Sequence, residues 1–176
     1  MIKDLYVLYG PSGSGKSALA KECILPEIIS VTTRKPRPGE EDGINYYFMS
    51  EQEFDRLSLV ESTIYDGNKY GITMFEFNRE NYSKAVVVTN YAGIKQLKKN
   101  CPEYGVKVYA IFVYSDKETL IRRMRDRGDS EDNINKRLSL LDAEYSNMDY
   151  ADHVIFNVQG DLKTCYDRLD AFILGT

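Results

Sequence analysis

Residues 10–17 read Gly-Pro-Ser-Gly-Ser-Gly-Lys-Ser and fit the phosphate-loop pattern G-x-x-x-x-G-K-[ST] at every fixed position. The string constrains the fold through its flanks. Residues 5–9 form an apolar run of strand type, and residues 17–23 are compatible with a helix. Strand, glycine-permitted loop and helix N-terminus are the three parts needed to cradle a polyphosphate. Gly10, Gly13 and Gly15 leave space for backbone N–H groups to converge on phosphate oxygens. Lys16 is placed to reach the β- and γ-phosphates, and the Ser17 hydroxyl to ligate magnesium (Mg2+). A nucleoside triphosphate is therefore expected on Gly10, Pro11, Ser12, Gly13, Ser14, Gly15, Lys16 and Ser17.

Beyond the loop, strand and helix signals alternate as a parallel α/β sheet requires. Strands are expected over 5–9, 28–33, 85–90, 106–113 and 153–158, several of them apolar enough for burial on both faces. Helices are expected over 92–100, over 116–127 with a Ser115/Glu118 capping box, over 133–145, and over 162–174 with Asp161 as N-cap. The alternation breaks between residues 34 and 81. There a short strand at 46–49, a capped turn of helix from Ser50-x-x-Glu53, an alternating run over 58–65 and the turn Asp66-Gly67-Asn68 predict a small antiparallel insertion. Residues 72–81 lack a helical pattern. The whole chain, residues 1–176, reads as one domain with an excursion.

The net charge of −4 gives no general attraction for nucleic acid, and no apolar stretch approaches the length of a membrane span. Neither kind of partner is expected. Residues 1–4 run straight into the first strand, so no signal peptide is expected, and Cys23, Cys101 and Cys165 have no metal-ligand spacing. Free thiols and a cytoplasmic setting are the simplest account. The single His153 opens a strand, where packing or surface exposure outweighs catalysis as a reading.

Nearly the whole chain resembles the guanylate kinases. Besides the phosphate loop, Ser30-Val31-Thr32-Thr33-Arg34-Lys35-Pro36-Arg37-Pro38-Gly39-Glu40 with Asp42-Gly43 and Tyr46 is similar to that family's signature. Glu61 followed by Gly67-Asn68-Lys69-Tyr70-Gly71 resembles its next block, Arg127-Gly128 and Asn135-Lys136-Arg137-Leu138 its lid, and Asn157 its C-terminal asparagine. The resemblance implies a three-layer α/β phosphate-loop NTPase fold: a parallel-sheet core (1–33 and 82–176), a monophosphate-binding insertion (34–81) and a helical lid (122–145). It implies transfer from ATP to GMP or dGMP.

The residue chemistry agrees with that assignment. Arg34 and Arg37, three apart around Pro36, suit the oxygens of one phosphate monoester, although basic residues beside prolines also make ordinary solvated turns. Tyr46 and Tyr70 can add neutral donors, and the resemblance gives all four to the acceptor phosphate. Glu61 can accept paired N–H bonds from a guanine edge, or simply face solvent from a strand. The resemblance places Ser30 and Asn90 near the base, adenine near Asn157, and Arg127 and Arg137 on the transferring phosphoryl group. Arg122 and Arg123 are expected on a solvated helix face. Lys16, Arg37, Arg127 and Arg137 are the catalytic candidates.

Some positions depart from the family pattern. Ile72 stands where a hydroxyl residue commonly contacts the guanine carbonyl, so Ile72→Ser is expected to improve guanine use. Val88 and Asn90 replace acidic residues. Weaker base discrimination is expected, and a monophosphate kinase of altered base preference or a non-catalytic nucleotide-binding module are the competing readings.

Overall fold

The computed structural model describes residues 2–78, 82–158 and 162–176. The first half runs β1 (Asp4–Tyr9), α1 (Lys16–Glu22), β2 (Val31–Thr32), β3 (Tyr47–Phe48), α2 (Glu51–Phe54), β4 (Leu59–Tyr65), β5 (Asn68–Thr73) and α3 (Met74–Phe77). The second runs β6 (Lys84–Val88), α4 (Tyr91–Asn100), β7 (Lys107–Tyr114), α5 (Lys117–Asp126), α6 (Glu131–Leu138), α7 (Leu141–Ser146), β8 (His153–Phe156) and α8 (Leu162–Gly175).

One sheet has the order β6-β1-β7-β8 with every pair parallel. Its central strand explains the layers. Leu5, Val7 and Tyr9 point into one apolar cluster with Ile94 and Leu97 of α4. Tyr6 and Leu8 point into a second with Leu19 and Ala20 of α1 and Leu169 and Ile173 of α8. This period-2 division of a continuous apolar run is what a strand covered on both faces produces. A third small cluster, Leu120, Met124, Ile134 and Leu141, ties α5, α6 and α7 together at the edge of the cleft. His153 stacks on Phe172 at 4.5 Å, and Cys23, Cys101 and Cys165 are buried.

The second sheet has the order β3-β2-β5-β4. It is mixed rather than antiparallel, because β2 and β3 run parallel. The strand expected over 28–33 does not join the main sheet as a unit. Residues 26–28 lie along the edge of β6, with Ile28 N–H donating to Val86 O and Val86 N–H to Pro26 O, and the chain then crosses to become β2. Pro26 has no N–H to continue the ladder. The Asp66-Gly67 turn between β4 and β5 has both residues at positive φ (50° and 76°), the conformation a two-residue hairpin requires.

Three helix expectations change. Asp116, not Ser115, caps α5, its carboxylate accepting from Thr119 N–H at 2.8 Å. The helix expected over 133–145 starts earlier, after the Ser130 cap, and divides at Ser139-Leu140 into α6 and α7. A short helix, α3, forms within 72–81 because the Thr73 hydroxyl accepts from Glu76 N–H. The expected Asp161 cap and the expected end of the insertion at Asn81 lie outside the described residues.

Ile72 overturns a further expectation. It sits opposite Glu61 in the β4–β5 pair, yet it is fully buried in the cluster containing Val60, Phe77 and Ile94. A serine there leaves a cavity and a buried hydroxyl. Ile72→Ser should therefore lose about 3 kcal/mol of stability, seen as a lower urea midpoint, instead of improving use of any substrate.

Candidate active site

The loop between β1 and α1 is shaped by space as much as by conformation. Gly10 adopts φ 135°, and a Cβ there would lie 2.6 Å from Val113 O. Gly15 adopts φ 99°, and a Cβ there would collide with the Asn157 amide. The loop's carbonyls are held from behind. Asn157 Nδ2 donates to Ser14 O at 2.8 Å, and Arg123 Nη1 lies 3.3 Å from Gly13 O and 3.1 Å from Ser115 Oγ. Ser115 Oγ donates to Asn157 O at 2.7 Å, and Arg123 Nη2 to Asn157 Oδ1 at 3.1 Å. Arg123 is thus a brace of the loop, not a residue of a solvated face. Asn157 is fully buried beneath the loop and does not line the cleft, contrary to its expected place beside adenine. Pro11 and Ser14 are buried in the loop's back as well.

In front of the loop lies a cavity of about 310 Å³. It gathers Gly10, Ser12, Gly13, Gly15, Lys16 and Ser17 from the loop and helix start. Ser30, Arg34, Arg37, Tyr46 and Tyr70 line it from the second sheet and its approach, as do Glu61 and Asn90, with Arg127 from the end of α5 and Arg137 from α6. Ile72 does not reach it. Lys16 donates to Gly10 O and Pro11 O, each at 2.8 Å. Burial pushes its ammonium down to about 8; Glu144 opposes this, and Arg127 and Arg137 add to it.

Arg34 and Arg37 share a counter-ion that the sequence reading gave no role. Glu40 Oε1 is 2.9 Å from Arg34 Nη2 and 3.8 Å from Arg37 Nη1, while its Oε2 accepts from Arg37 N–H at 2.8 Å. Arg34 also lies over the Tyr46 ring, which stands edge-on to Tyr70 at 5.9 Å. Burial raises the Tyr46 phenol to about 12, so it stays a proton donor at neutral pH.

Glu61 is only 3% exposed. Burial pushes its carboxyl up to about 7, and hydrogen bonds from Thr89 and Thr63 partly offset this. Thr89 Oγ1 donates to Glu61 Oε1 at 2.9 Å. Thr63 and Thr89 were missed, although Thr63 lies two residues from Glu61 and so shares its face of β4.

Between α5 and α6, Asp129 takes two bonds from Arg127, at 3.0 and 2.6 Å, and lies 3.4 Å from Arg137 Nη1. Both arginines then donate to Ser12 Oγ in the phosphate loop. Asp66, in the β4–β5 turn, pairs with Lys136 and lies 3.7 Å from Arg137 Nη2. The cleft therefore gathers the glycine-rich loop with Lys16 and the guanidinium groups of Arg34, Arg37, Arg127 and Arg137 around one cavity, an arrangement chemically suited to phosphate oxygens.

Comparison with known proteins gives a consistent result. The family model described as guanylate kinase matches residues 2–175. The guanylate kinase of Synechococcus sp. (strain JA-3-3Ab) is 37% identical over 181 residues, 96% of this chain and 81% of that protein. That of Haemophilus influenzae (strain 86-028NP) is 38% identical over 171 residues, 88% of this chain and 80% of that protein. The crystal structure of guanylate kinase from Anaplasma phagocytophilum superposes with a TM-score of 0.75 at 27% identity, covering 99% of this chain and 86% of that one.

The brace generates a test. Arg123→Met keeps the aliphatic stem but withdraws every donor from Gly13 O, Ser115 Oγ and Asn157 Oδ1. Loss of such bonds costs about 1–2 kcal/mol. The KM for the triphosphate should rise about tenfold in steady-state assays, while the KM for the monophosphate stays near its starting value.

Proposed function

This chain belongs to the guanylate kinase family and is a guanylate kinase, transferring a phosphoryl group from ATP to GMP; within that activity we propose which residues do what. One observation carries the assignment: a single cavity runs from the phosphate loop to the Arg34/Arg37 clamp, with Lys16 and the lid arginines lining it.

ATP lies with its phosphates on the N–H groups of the loop, and Lys16 turns from its two loop carbonyls to the β- and γ-phosphates. GMP places its phosphate between Arg34, Arg37, Tyr46 and Tyr70, with Glu40 holding the arginines in position beforehand. Its guanine meets Ser30 and Glu61, the carboxylate accepting from N1–H and the exocyclic amine. The acceptor oxygen is already ionised near neutral pH, so no side chain is needed as a base. Arg127 and Arg137 leave Ser12 for the phosphoryl group as its charge spreads in transit, and Asp129 keeps both aligned. Magnesium would be held on the protein side by the Ser17 hydroxyl, which lines the cavity beside Lys16. Its chemical contribution there would be to neutralise charge on the triphosphate. Among the described residues no cluster of three or more His, Cys, Asp or Glu forms a separate metal site.

Turnover measured side by side with GMP, dGMP, AMP, UMP, CMP and dTMP tests the acceptor assignment. The two guanine nucleotides should lead, and a faster pyrimidine or AMP would refute the role of Glu61. In the same assay Lys16→Ala should lower turnover by at least about 100-fold. Arg37→Ala should raise the KM for GMP and leave that for ATP nearly unchanged.

A pH dependence follows from the burial of Glu61. The ionised form is the one that accepts both guanine N–H groups, and its titration midpoint is about 7. The KM for GMP should rise as pH falls through that value. Glu61→Gln should abolish this limb and retain only the one due to GMP's own phosphate.

A further inference from the structure

Thr89 ties the buried Glu61 carboxylate to the strand that leads into the phosphate loop. It follows β6, and its backbone N–H donates to Leu8 O of β1 at 3.1 Å, two residues before Gly10. Its hydroxyl donates to Glu61 Oε1 of β4 at 2.9 Å. One residue thus bonds to the main sheet through its backbone and to the second sheet through its side chain.

Both partners of that side-chain bond are held in place. β4 is the edge strand of its sheet, and α4 serves the open edge with side-chain amides. Gln96 Nε2 donates to Ser62 O at 2.7 Å, and its Oε1 accepts from Ser62 N–H at 3.1 Å. Asn100 Nδ2 donates to Val60 O at 2.9 Å. The residues on either side of Glu61 are therefore fixed to α4. At the first turn of that helix, a Cβ on Gly93 would collide with both Thr89 Oγ1 and Glu61 Oε1, so the bonded pair fills the space of an absent side chain. Gly93, Thr89, Thr63 on the same face of β4 and Ile72 opposite on β5 are all neutral. The charged groups of these elements are engaged or exposed elsewhere: Lys69 of β5 pairs with Asp55, Lys84 of β6 reaches Tyr6, and on α4 Lys98 pairs with Asp152, Lys95 lies over the Tyr91 ring and Lys99 is exposed. A charge on Glu61 is thus settled by hydrogen-bond donors, and not by a cation.

We propose that Thr89 is a positioning residue for base selection: its hydroxyl holds one oxygen of Glu61 so that the carboxylate, which lines the cavity, is presented to the guanine N–H pair. This role rests on the proposed reading that Glu61 contacts guanine. The carboxylate has capacity for both tasks. An ionised carboxylate offers about four acceptor positions; Thr89 uses one on Oε1 and leaves both oxygens able to accept from the base. A donor held against Oε1 also favours the charged form, whereas a protonated carboxyl offers the base a hydroxyl in place of one acceptor. Valine has the shape of threonine without that donor.

The test is steady-state kinetics with ATP and GMP across a pH series on wild type, Thr89→Val, Thr89→Ala, Thr89→Ser and Glu61→Gln, each shown to be folded by a cooperative thermal transition. The two forms without the hydroxyl should raise the KM for GMP about tenfold near neutral pH, leave the KM for ATP near wild type and reduce the preference for GMP over AMP. Loss of a donor to the ionised form should also move the Glu61-dependent rise in the KM for GMP to higher pH. Thr89→Ser, which keeps the hydroxyl, should retain most of the wild-type affinity and the wild-type pH profile. If Glu61→Gln impairs GMP use while Thr89→Val and Thr89→Ala leave its KM within about twofold and the pH profile unmoved, Thr89 has no positioning role and the base contact stands. If the KM values for GMP and ATP rise together with no movement of the pH profile, the role of Thr89 is structural and the proposal is wrong. If Glu61→Gln itself leaves GMP use unchanged, the reading beneath the proposal fails.

Discussion

The phosphate loop depends on having the Gly13 and Ser14 carbonyls received from behind. Here they are received by Asn157 and Arg123, joined through Ser115, and the sheet order makes that meeting possible. Parallel strands bring their C-terminal ends to one edge. The residues immediately beyond β1, β6, β7 and β8 are Gly10, Thr89, Ser115 and Asn157. Each contributes to the loop, its support or the Glu61 end of the cleft. An antiparallel neighbour would bring a strand start to that edge instead. The division of β1 side chains between two apolar clusters therefore does more than stabilise the core, since it fixes the plane from which all four contributions emerge.

The cleft is rich in cations that would repel one another if they stood alone. Acidic partners hold them in pairs: Glu40 between Arg34 and Arg37, Asp129 between Arg127 and Arg137, and Glu144 facing Lys16. Dipoles and charges set in place before the reaction need little reorganisation while it proceeds. Within this arrangement burial, more than the neighbouring arginines, opposes the charge on Lys16.

Strands with continuous apolar runs were legible because burial on both faces leaves a simple signature, and the phosphate loop because its glycines and lysine are tightly spaced. The path of residues 26–32 was not. A segment that borders one sheet and then crosses to another has the same apolar character as one that stays. Arg123 was unreadable for another reason. A helical arginine facing solvent and one facing a loop carbonyl differ only in what the fold sets opposite them. Asn157 and Ile72 illustrate the limit of motif transfer, since both occupy recognised positions while their side chains are committed to packing or bracing. Asp116 and Ser115 are adjacent potential caps. The competition is decided by Ser115 being drawn inward to Asn157 O.

The turn at Asp66 has a consequence beyond hairpin geometry. Asp66 is the only non-glycine among the described residues with positive φ, and its carboxylate crosses from the second sheet to Lys136 and Arg137 on α6. The β4–β5 turn and α6 are thus in direct contact. Any free energy by which seating one nucleotide draws the turn toward α6 is available, with the same magnitude, to the other nucleotide. Such coupling is reciprocal by thermodynamic necessity, whichever ligand arrives first. It is also electrostatic and near the surface, so it is exposed to screening by salt in a way that the buried loop brace is not.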